Sequence, residues 1–323
     1  MRANEMNGWI EVEVLQRKDE ASGIISLDLR ALDGSELPGF SAGAHIDVRT
    51  ASGLVRQYSL CNDASERHRY RLGVLLADNS RGGSRAVHSE LHQGTRLNVS
   101  PPRNLFPLVD ESRCIILVAG GIGITPLLSM AHTLQRESRA FEFHVCARNV
   151  ERLSFQDELA LWGDQVRLHY NESEDPAAPP FSPERDIGAY QDGRFIYTCG
   201  PAGFMDYVRQ SALALGWPDD AIRMEHFGAE VARGGDSFTV EARRSGVLVE
   251  VGADQSIAEA LQAAGVEVPL SCEQGICGMC MTPVLEGTPE HRDMYLTEGE
   301  KAANDRMTIC CSRARGPKLV LDI

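Results

Sequence analysis

No apolar run in these 323 residues approaches the roughly 20 residues that a membrane-spanning helix requires. The opening Met1-Arg2-Ala3-Asn4-Glu5 lacks the apolar core of a secretory signal, which predicts a cytoplasmic setting. An excess of basic charge is also missing. Lys and Arg number 32 against 46 Asp and Glu, a formal charge of −14 that disfavours a nucleic-acid partner. That charge is compatible with steering toward a basic protein surface, and equally with simple solubility. A hydrophobic content of 43% and a charged content of 24% describe a globular chain long enough for two or three domains. Cysteine is the exception to this sparseness. Nine of them in a reducing compartment argue against a disulfide framework and for metal ligation.

The cysteines lack the two Cys-x2-Cys knuckles of a structural zinc site. Instead Cys272, Cys277 and Cys280 share one loop and Cys310 follows after 29 intervening residues. Cys-x4-Cys-x2-Cys…Cys is the ligand pattern of a plant-type [2Fe–2S] cluster, with zinc or disulfides as the competing readings. Gly275 and Gly278 let the loop backbone bend so that amides face the sulfurs. Cys311 adjoins Cys310; the spacing favours Cys310 as ligand and leaves Cys311 as a buried thiol. Around the loop, Ser237–Val251 reads as two strands about a Ser245-Gly246 turn. Ser256 and Glu259 form a capping box for a short helix that Gly265 ends, and Lys318–Asp322 reads as a closing strand. This order resembles an α+β β-grasp ferredoxin domain, placed at 236–323. It carries fourteen acidic and eight basic side chains, a docking face or merely a solvated one.

Upstream, Cys114–Ala119 is a continuous apolar run, as in a buried parallel strand. It feeds Gly120, Gly121, Ile122 and Gly123, after which Thr125 is expected as the N-cap and Pro126 as the first residue of a helix. The Gly-x-Gly-x-x-Gly fingerprint is absent, yet strand, glycine turn and helix start still offer a pyrophosphate site. Phe141–Cys146 and Arg194–Cys199 read as further strands, the first ending near Arg148 and the second at Gly200-Pro201. The pattern predicts an α/β doubly wound nucleotide-binding domain over 110–228. Glu172–Pro183 reads as a surface loop, and 228–235 as a linker.

From Trp9 to Leu108 short alternating runs with turns at Asp33-Gly34, Ser52-Gly53 and Gly82-Gly83 predict an antiparallel β-barrel over 1–109. Two motifs stand out there: Arg56-Gln57-Tyr58-Ser59-Leu60 and Ser80-Arg81-Gly82-Gly83-Ser84.

Arg-x-Tyr-Ser, Gly-Gly-Ser, Gly-Gly-Ile-Gly-Ile-Thr-Pro, Cys-Gly-Pro and the terminal cysteine pattern occur in that order. Over essentially its full length the chain resembles the phthalate dioxygenase reductase and vanillate O-demethylase reductase family. The resemblance implies a multidomain oxidoreductase with FMN, NADH and a [2Fe–2S] cluster. Arg56, Tyr58, Ser59, Leu60, Arg81, Gly82, Gly83 and Ser84 would hold FMN. Gly120, Gly121, Ile122, Gly123, Thr125, Pro126, Arg148, Cys199, Gly200 and Pro201 would hold the nucleotide. Ser59, Thr125, Cys199 and Phe227 would lie near the reacting rings, with core packing as the competing role for Phe227. Cys272, Cys277, Cys280 and Cys310 would bind iron. The implied acceptor is a Rieske-type terminal oxygenase, and the chain is expected to be a monomer. Alternatives are a reductase for a cytochrome P450 or other oxygenase and, in another class, an iron–sulfur redox sensor. NADH is preferred by the resemblance, although Arg148 suits a 2′-phosphate as well as a ribose.

Overall fold

The computed structural model describes residues 8–77, 82–110, 112–172, 177–228 and 234–323. The chain divides into two compact units, Met1–Phe227 and Gly228–Ile323. The predicted multidomain architecture is present: an antiparallel barrel and a doubly wound parallel sheet in the first unit, and a β-grasp fold in the second.

Strands β1 (Ile10–Ala21), β2 (Ile24–Ala31), β3 (Ala44–Arg49), β4 (Val55–Ser59), β5 (Tyr70–Leu75) and β6 (Arg96–Val99) pair in the order β4-β3-β6-β1-β2-β5, and β7 (Arg103–Asn104) adds to β3. A bridge between Leu60 and Leu72 joins the two ends of this order, leaving little open edge. Val12, Leu27, Leu29, Ile46, Val48 and Leu72 alternate inward and fill the barrel. Helix α1 (Gly83–Glu90) packs Val87 onto that core.

The parallel sheet comprises β8 (Cys114–Gly120), β9 (Phe141–Ala147), β10 (Val166–Tyr170), β11 (Arg194–Cys199) and β12 (Ile222–Glu225), ordered β10-β9-β8-β11-β12. Helices α2 (Ile124–Arg136), α3 (Gln156–Ala160), α4 (Pro183–Asp186) and α5 (Ala202–Ala214) cover it, with one core formed around α2 and another around α5. Order reverses at β8, where the chain runs outward to β9 on one side and later to β11 on the other. Such a switch point leaves a crevice at the strands' C-terminal ends. The barrel is tied to this sheet by Arg71, which pairs with Asp28 on β2 at 2.7 Å and with Glu158 on α3, and by Lys18 and Asp157 at 2.6 Å.

In the second unit β13 (Phe238–Ala242), β14 (Val247–Val251), β15 (Met281–Glu286), β17 (Arg306–Thr308) and β19 (Lys318–Leu321) form a sheet ordered β14-β13-β19-β15-β17. The short strands β16 (Pro289–Glu290) and β18 (Arg313–Ala314) pair with each other. The expected hairpin turn holds Gly246 at φ 65°, and α6 (Ile257–Ala263) carries the expected reciprocal cap between Ser256 and Glu259. Helix α7 (Glu298–Ala303) has the same device in Thr297 and Glu300. Each such cap is worth about 1 kcal/mol. No helix among the described residues is long and apolar enough to cross a membrane.

Candidate functional site

Alternation along β4 places Arg56 and Tyr58 on one face and Gln57 and Ser59 on the other. The first face meets the start of α1. A Cβ on Gly83 would lie 2.5 Å from Arg56 Cγ and 2.6 Å from its Nε, so only glycine lets the guanidinium stem cross the helix start. Gly82 holds φ at 93°, which turns the chain into the helix. The Gly-Gly-Ser segment is thus the first turn of a helix, with the Ser84 hydroxyl accepting the Ala77 amide at 3.3 Å. Arg81 lies outside the described residues. Tyr58 is half-buried; burial pushes its phenol up to about 12 against the opposing pull of Arg56, so the ring stays neutral. Leu60 is fully buried in the barrel core, and its amide donates to Ala44 at 2.9 Å.

On the opposite face, the Ser59 hydroxyl donates to Glu225 Oε2 at 3.4 Å. Glu225 ends β12 and pairs in register with Cys199 at the end of β11. Desolvation raises the Glu225 carboxyl to about 8, with the Ser59 bond opposing. Cys199 is fully buried; burial first and the Glu225 charge second push its thiol well up, so it is an unreactive thiol. Sequence reasoning missed Glu225. Its partner is 166 positions away, and only the adjacency of β11 and β12 brings the groups together.

The glycine turn after β8 is a close-packed joint. A Cβ on Gly123 would lie 2.2 Å from the Cys199 carbonyl oxygen, and one on Gly200 3.0 Å from Gly120 Cα. Gly121 needs φ 55° but is otherwise open, and Ile122 is half-buried beside it. One expectation is corrected here. A 3-10 turn over Gly121–Gly123 starts the helix early, so α2 begins at Ile124 with Gly123 as its cap position. Thr125 and Pro126 therefore lie inside the first turn. The Thr125 hydroxyl donates back to the Ile122 carbonyl at 3.1 Å instead of capping. Its methyl fills the space above Gly73 of β5, where a Cβ would approach it to 2.5 Å. Pro201 is exposed at the mouth of this joint, just before α5. Arg148 is exposed just past β9, and its carbonyl accepts the Glu172 amide at 2.8 Å. Phe227 is exposed beyond β12.

Further along the sheet, His144, His169 and Asp186 cluster closely enough to suggest a metal site. Most of their polar atoms are otherwise engaged, His144 Nε2 excepted. His169 contacts the Pro179 carbonyl at 3.0 Å, which makes Nδ1 the donor and leaves Nε2 to accept from His144 at 3.0 Å. Asp186 is held by Arg185 at 2.7 Å and by the Ser182 amide at 2.8 Å.

In the second unit, the cluster loop puts Cys272 and Cys280 in the interior, with Cys310 buried beside them and Cys277 half-buried. Thiol contacts link Cys272 with Cys277, and Cys310 with both Cys280 and Cys311. The Cys272 thiol is held low by the Cys277 contact and by backbone amides, including that of Gln274 at 3.4 Å. Amides aimed at sulfur favour the thiolate that iron requires. Two thiol pairs converging from one loop and one distant strand end are a fitting donor set for two irons. Cys311 touches Cys310, but its other partners lie away from the loop cysteines. Its sulfur lies 3.2 Å from the Thr308 hydroxyl and would be 2.5 Å from a Cβ on Gly275, so it packs behind the loop. Gly278 is similarly closed, with the Tyr295 ring 2.3 Å from where its Cβ would be.

The family model of the 2Fe-2S iron-sulfur cluster binding domain matches residues 240–315, and that of the oxidoreductase NAD-binding domain matches 117–210. The chain is 48% identical over 323 residues to the vanillate O-demethylase oxidoreductase of Pseudomonas putida, covering 97% of this chain and 100% of that one. It is 39% identical over 328 residues to the phthalate dioxygenase reductase of Burkholderia cepacia, covering 100% of both. Among solved structures, a phthalate dioxygenase reductase superposes with a TM-score of 0.79 at 39% identity over 100% of both chains. An intact type IV self-sufficient cytochrome P450 monooxygenase gives 0.83 at 38% identity, over 98% of this chain and 41% of that longer one. The chain belongs to the vanillate O-demethylase oxidoreductase and phthalate dioxygenase reductase family: it is an oxidoreductase that joins a flavin domain, an NAD-binding domain and a [2Fe–2S] domain in one polypeptide.

Proposed function

We propose that the chain is the reductase component of a two-component oxygenase, drawing electrons from NADH and delivering them to a Rieske-type non-haem iron partner. The carrying observation is the bond from Ser59, in the flavin-binding motif, to Glu225 at the strand ends where a nicotinamide would lie. That bond supports a reading in which the two binding motifs lie side by side. When bound, FMN would supply the conversion of a two-electron hydride into single electrons, and the cluster a one-electron carrier.

The chain's residues bind, orient and exclude water. Arg56 and the first turn of α1 would hold the flavin phosphate, and Tyr58 would offer its ring to the flavin. The joint of Gly120, Gly123 and Gly200 lets backbone amides approach the pyrophosphate without Cβ interference. Thr125, Cys199 and Phe227 would shape the nicotinamide pocket; Cys272, Cys277, Cys280 and Cys310 would hold the irons. Glu172 sits beside Arg148 and takes the Asn149 amide at 3.1 Å. A carboxylate there suits a ribose 2′-hydroxyl and repels a 2′-phosphate, which supports NADH. The unit is a monomer in this reading.

Anaerobic titration with each nucleotide, following flavin and cluster bleaching, tests the reading. NADH is expected to reduce both centres at least tenfold faster than NADPH at equal concentration. The reverse order would overturn the nucleotide assignment, and a preparation without flavin would overturn the reductase. Reconstitution with Rieske oxygenases and with a cytochrome P450 then separates the acceptor classes. The second arm is included because of the similarity to the P450 monooxygenase chain.

Glu225 makes a pH prediction. Below about 8 its carboxyl is neutral and able to donate a hydrogen bond into the pocket; above that it becomes a poorly solvated charge with the Ser59 hydroxyl beside it. Stopped-flow flavin reduction by NADH is expected to fall as pH rises through about 8, and Glu225→Gln to lose that step. The sign for stability agrees. A carboxyl raised in the folded state contributes fully below its ordinary 4.5, and the contribution is lost as pH rises toward about 8.

A further inference from the structure

Behind the cluster loop lies a buried carboxylate that no part of the electron path described above uses. The Asp293 side chain has no solvent exposure. Its Oδ2 accepts the backbone amides of Tyr295 at 3.2 Å and Leu296 at 2.8 Å, and its Oδ1 accepts the Ser312 hydroxyl at 3.3 Å. Every one of these contacts is a donor, the surroundings a carboxylate requires and a carboxylic acid does not. Among the described ion pairs Asp293 has only the His291 ring, at 3.6 Å; the adjacent Arg292 turns instead to Glu290 at 2.9 Å.

The position of this group sets it against the loop that binds iron. A Cβ on Gly275, midway between Cys272 and Cys277, would lie 3.0 Å from both Cα and Cβ of Asp293, and the Gly275 carbonyl accepts the Met294 amide at 3.0 Å. Ser312 carries the contact to the other side. Its hydroxyl lies 3.2 Å from that of Thr308, which in turn meets Cys311, the neighbour of Cys310. One buried anion therefore touches the loop holding three ligands and reaches the segment holding the fourth. Negative charge fixed near an iron–sulfur centre disfavours adding an electron, and net charge and hydrogen bonding are main determinants of such potentials. A low dielectric strengthens the effect.

We propose that Asp293 is a positioning residue that sets the reduction potential of the [2Fe–2S] cluster, holding it low enough to pass electrons onward rather than retain them. The proposal rests on the reductase reading, and one measurement keeps the two apart. Asp293→Asn keeps the shape and one acceptor oxygen while removing the charge. In the full-length protein, an EPR-monitored redox titration of the cluster is expected to show a more positive midpoint. The shift should be about tenfold in the one-electron equilibrium, or about 59 mV. Ser312→Ala removes a donor and leaves the carboxylate less neutralised, so it is expected to move the midpoint the opposite way. Opposite signs are the signature of charge; a loosened loop would broaden the spectrum or shift both variants alike. If Asp293→Asn fails to retain its cluster, Ser312→Ala decides: a more negative midpoint supports the proposal and an unmoved or more positive one overturns it. A cluster-bearing Asp293→Asn with an unmoved midpoint overturns it outright. Absence of any [2Fe–2S] signal from the unmodified protein would instead sink the reductase reading.

Discussion

Cys310→Ser is expected to abolish the [2Fe–2S] cluster or leave only a small fraction of it, whereas Cys311→Ser should keep a full complement. The two positions are adjacent and both buried, so burial does not separate them. Partners do. Both touch each other, but Cys310 also reaches Cys280 of the cluster loop, while the other partners of Cys311 are the Thr308 hydroxyl and the back of Gly275. Serine at 310 offers iron a poorer, harder ligand than a thiolate. Serine at 311 replaces a packed sulfur with a smaller oxygen that already has Thr308 as a partner, at a cost of about 1 kcal/mol. Iron content per chain, with the visible and EPR spectra, checks the pair. Retention of the cluster in Cys310→Ser and its loss in Cys311→Ser would reverse the ligand assignment.

Gly123→Ala is expected to have the largest effect on the first unit. The new Cβ would stand 2.2 Å from the Cys199 carbonyl oxygen and 2.6 Å from the Gly200 amide nitrogen, both backbone atoms on a central strand end. No side chain can rotate away, so either β11 or the start of α2 must move. Overpacking of this kind costs about 3 kcal/mol. Beyond stability, it separates the two glycine turns proposed to cradle the pyrophosphate. NADH-driven flavin reduction should fall at least a hundredfold, while the dithionite-reduced EPR signal of the cluster stays unchanged, because that centre lies wholly in the other unit. Gly121→Ala makes an informative control. It meets no neighbour within 4 Å but must hold φ 55°, so its cost is backbone strain of about 1–2 kcal/mol without the collision.

Much of this architecture is legible in local patterns. The apolar run at Cys114–Ala119 predicts a central parallel strand, and Ser256 with Glu259 predicts the start of α6 almost to the residue. These succeed because a strand buried on both faces and a reciprocal cap each leave a mark within a few positions. The start of α2 was less legible. Thr125-Pro126 has the composition of a helix entry, yet packing of Gly123 on Cys199 pulls the chain into a 3-10 turn first. The Gly-Gly-Ser segment likewise reads as a turn, since nothing local announces a helix there; Arg56, 27 positions earlier, fills the space at its first turn. Glu225 and Asp293 are less visible still. Each is one acidic residue among 46, and only tertiary contact buries Asp293 and partly buries Glu225.

The links from Arg71 to Asp28 and Glu158, from Lys18 to Asp157, and from Gly73 to Thr125 fasten the barrel to the parallel sheet at several points. The β-grasp unit completes its own core from residues after position 234. For descent by gene fusion and recombination, these facts have unequal consequences. A crossover between barrel and parallel sheet would break matched contacts on both sides, so the two are expected to be inherited as a block. The iron–sulfur unit, with its own core, is expected to behave as a cassette, whose exchange changes what the electrons can reach more than the hydride chemistry.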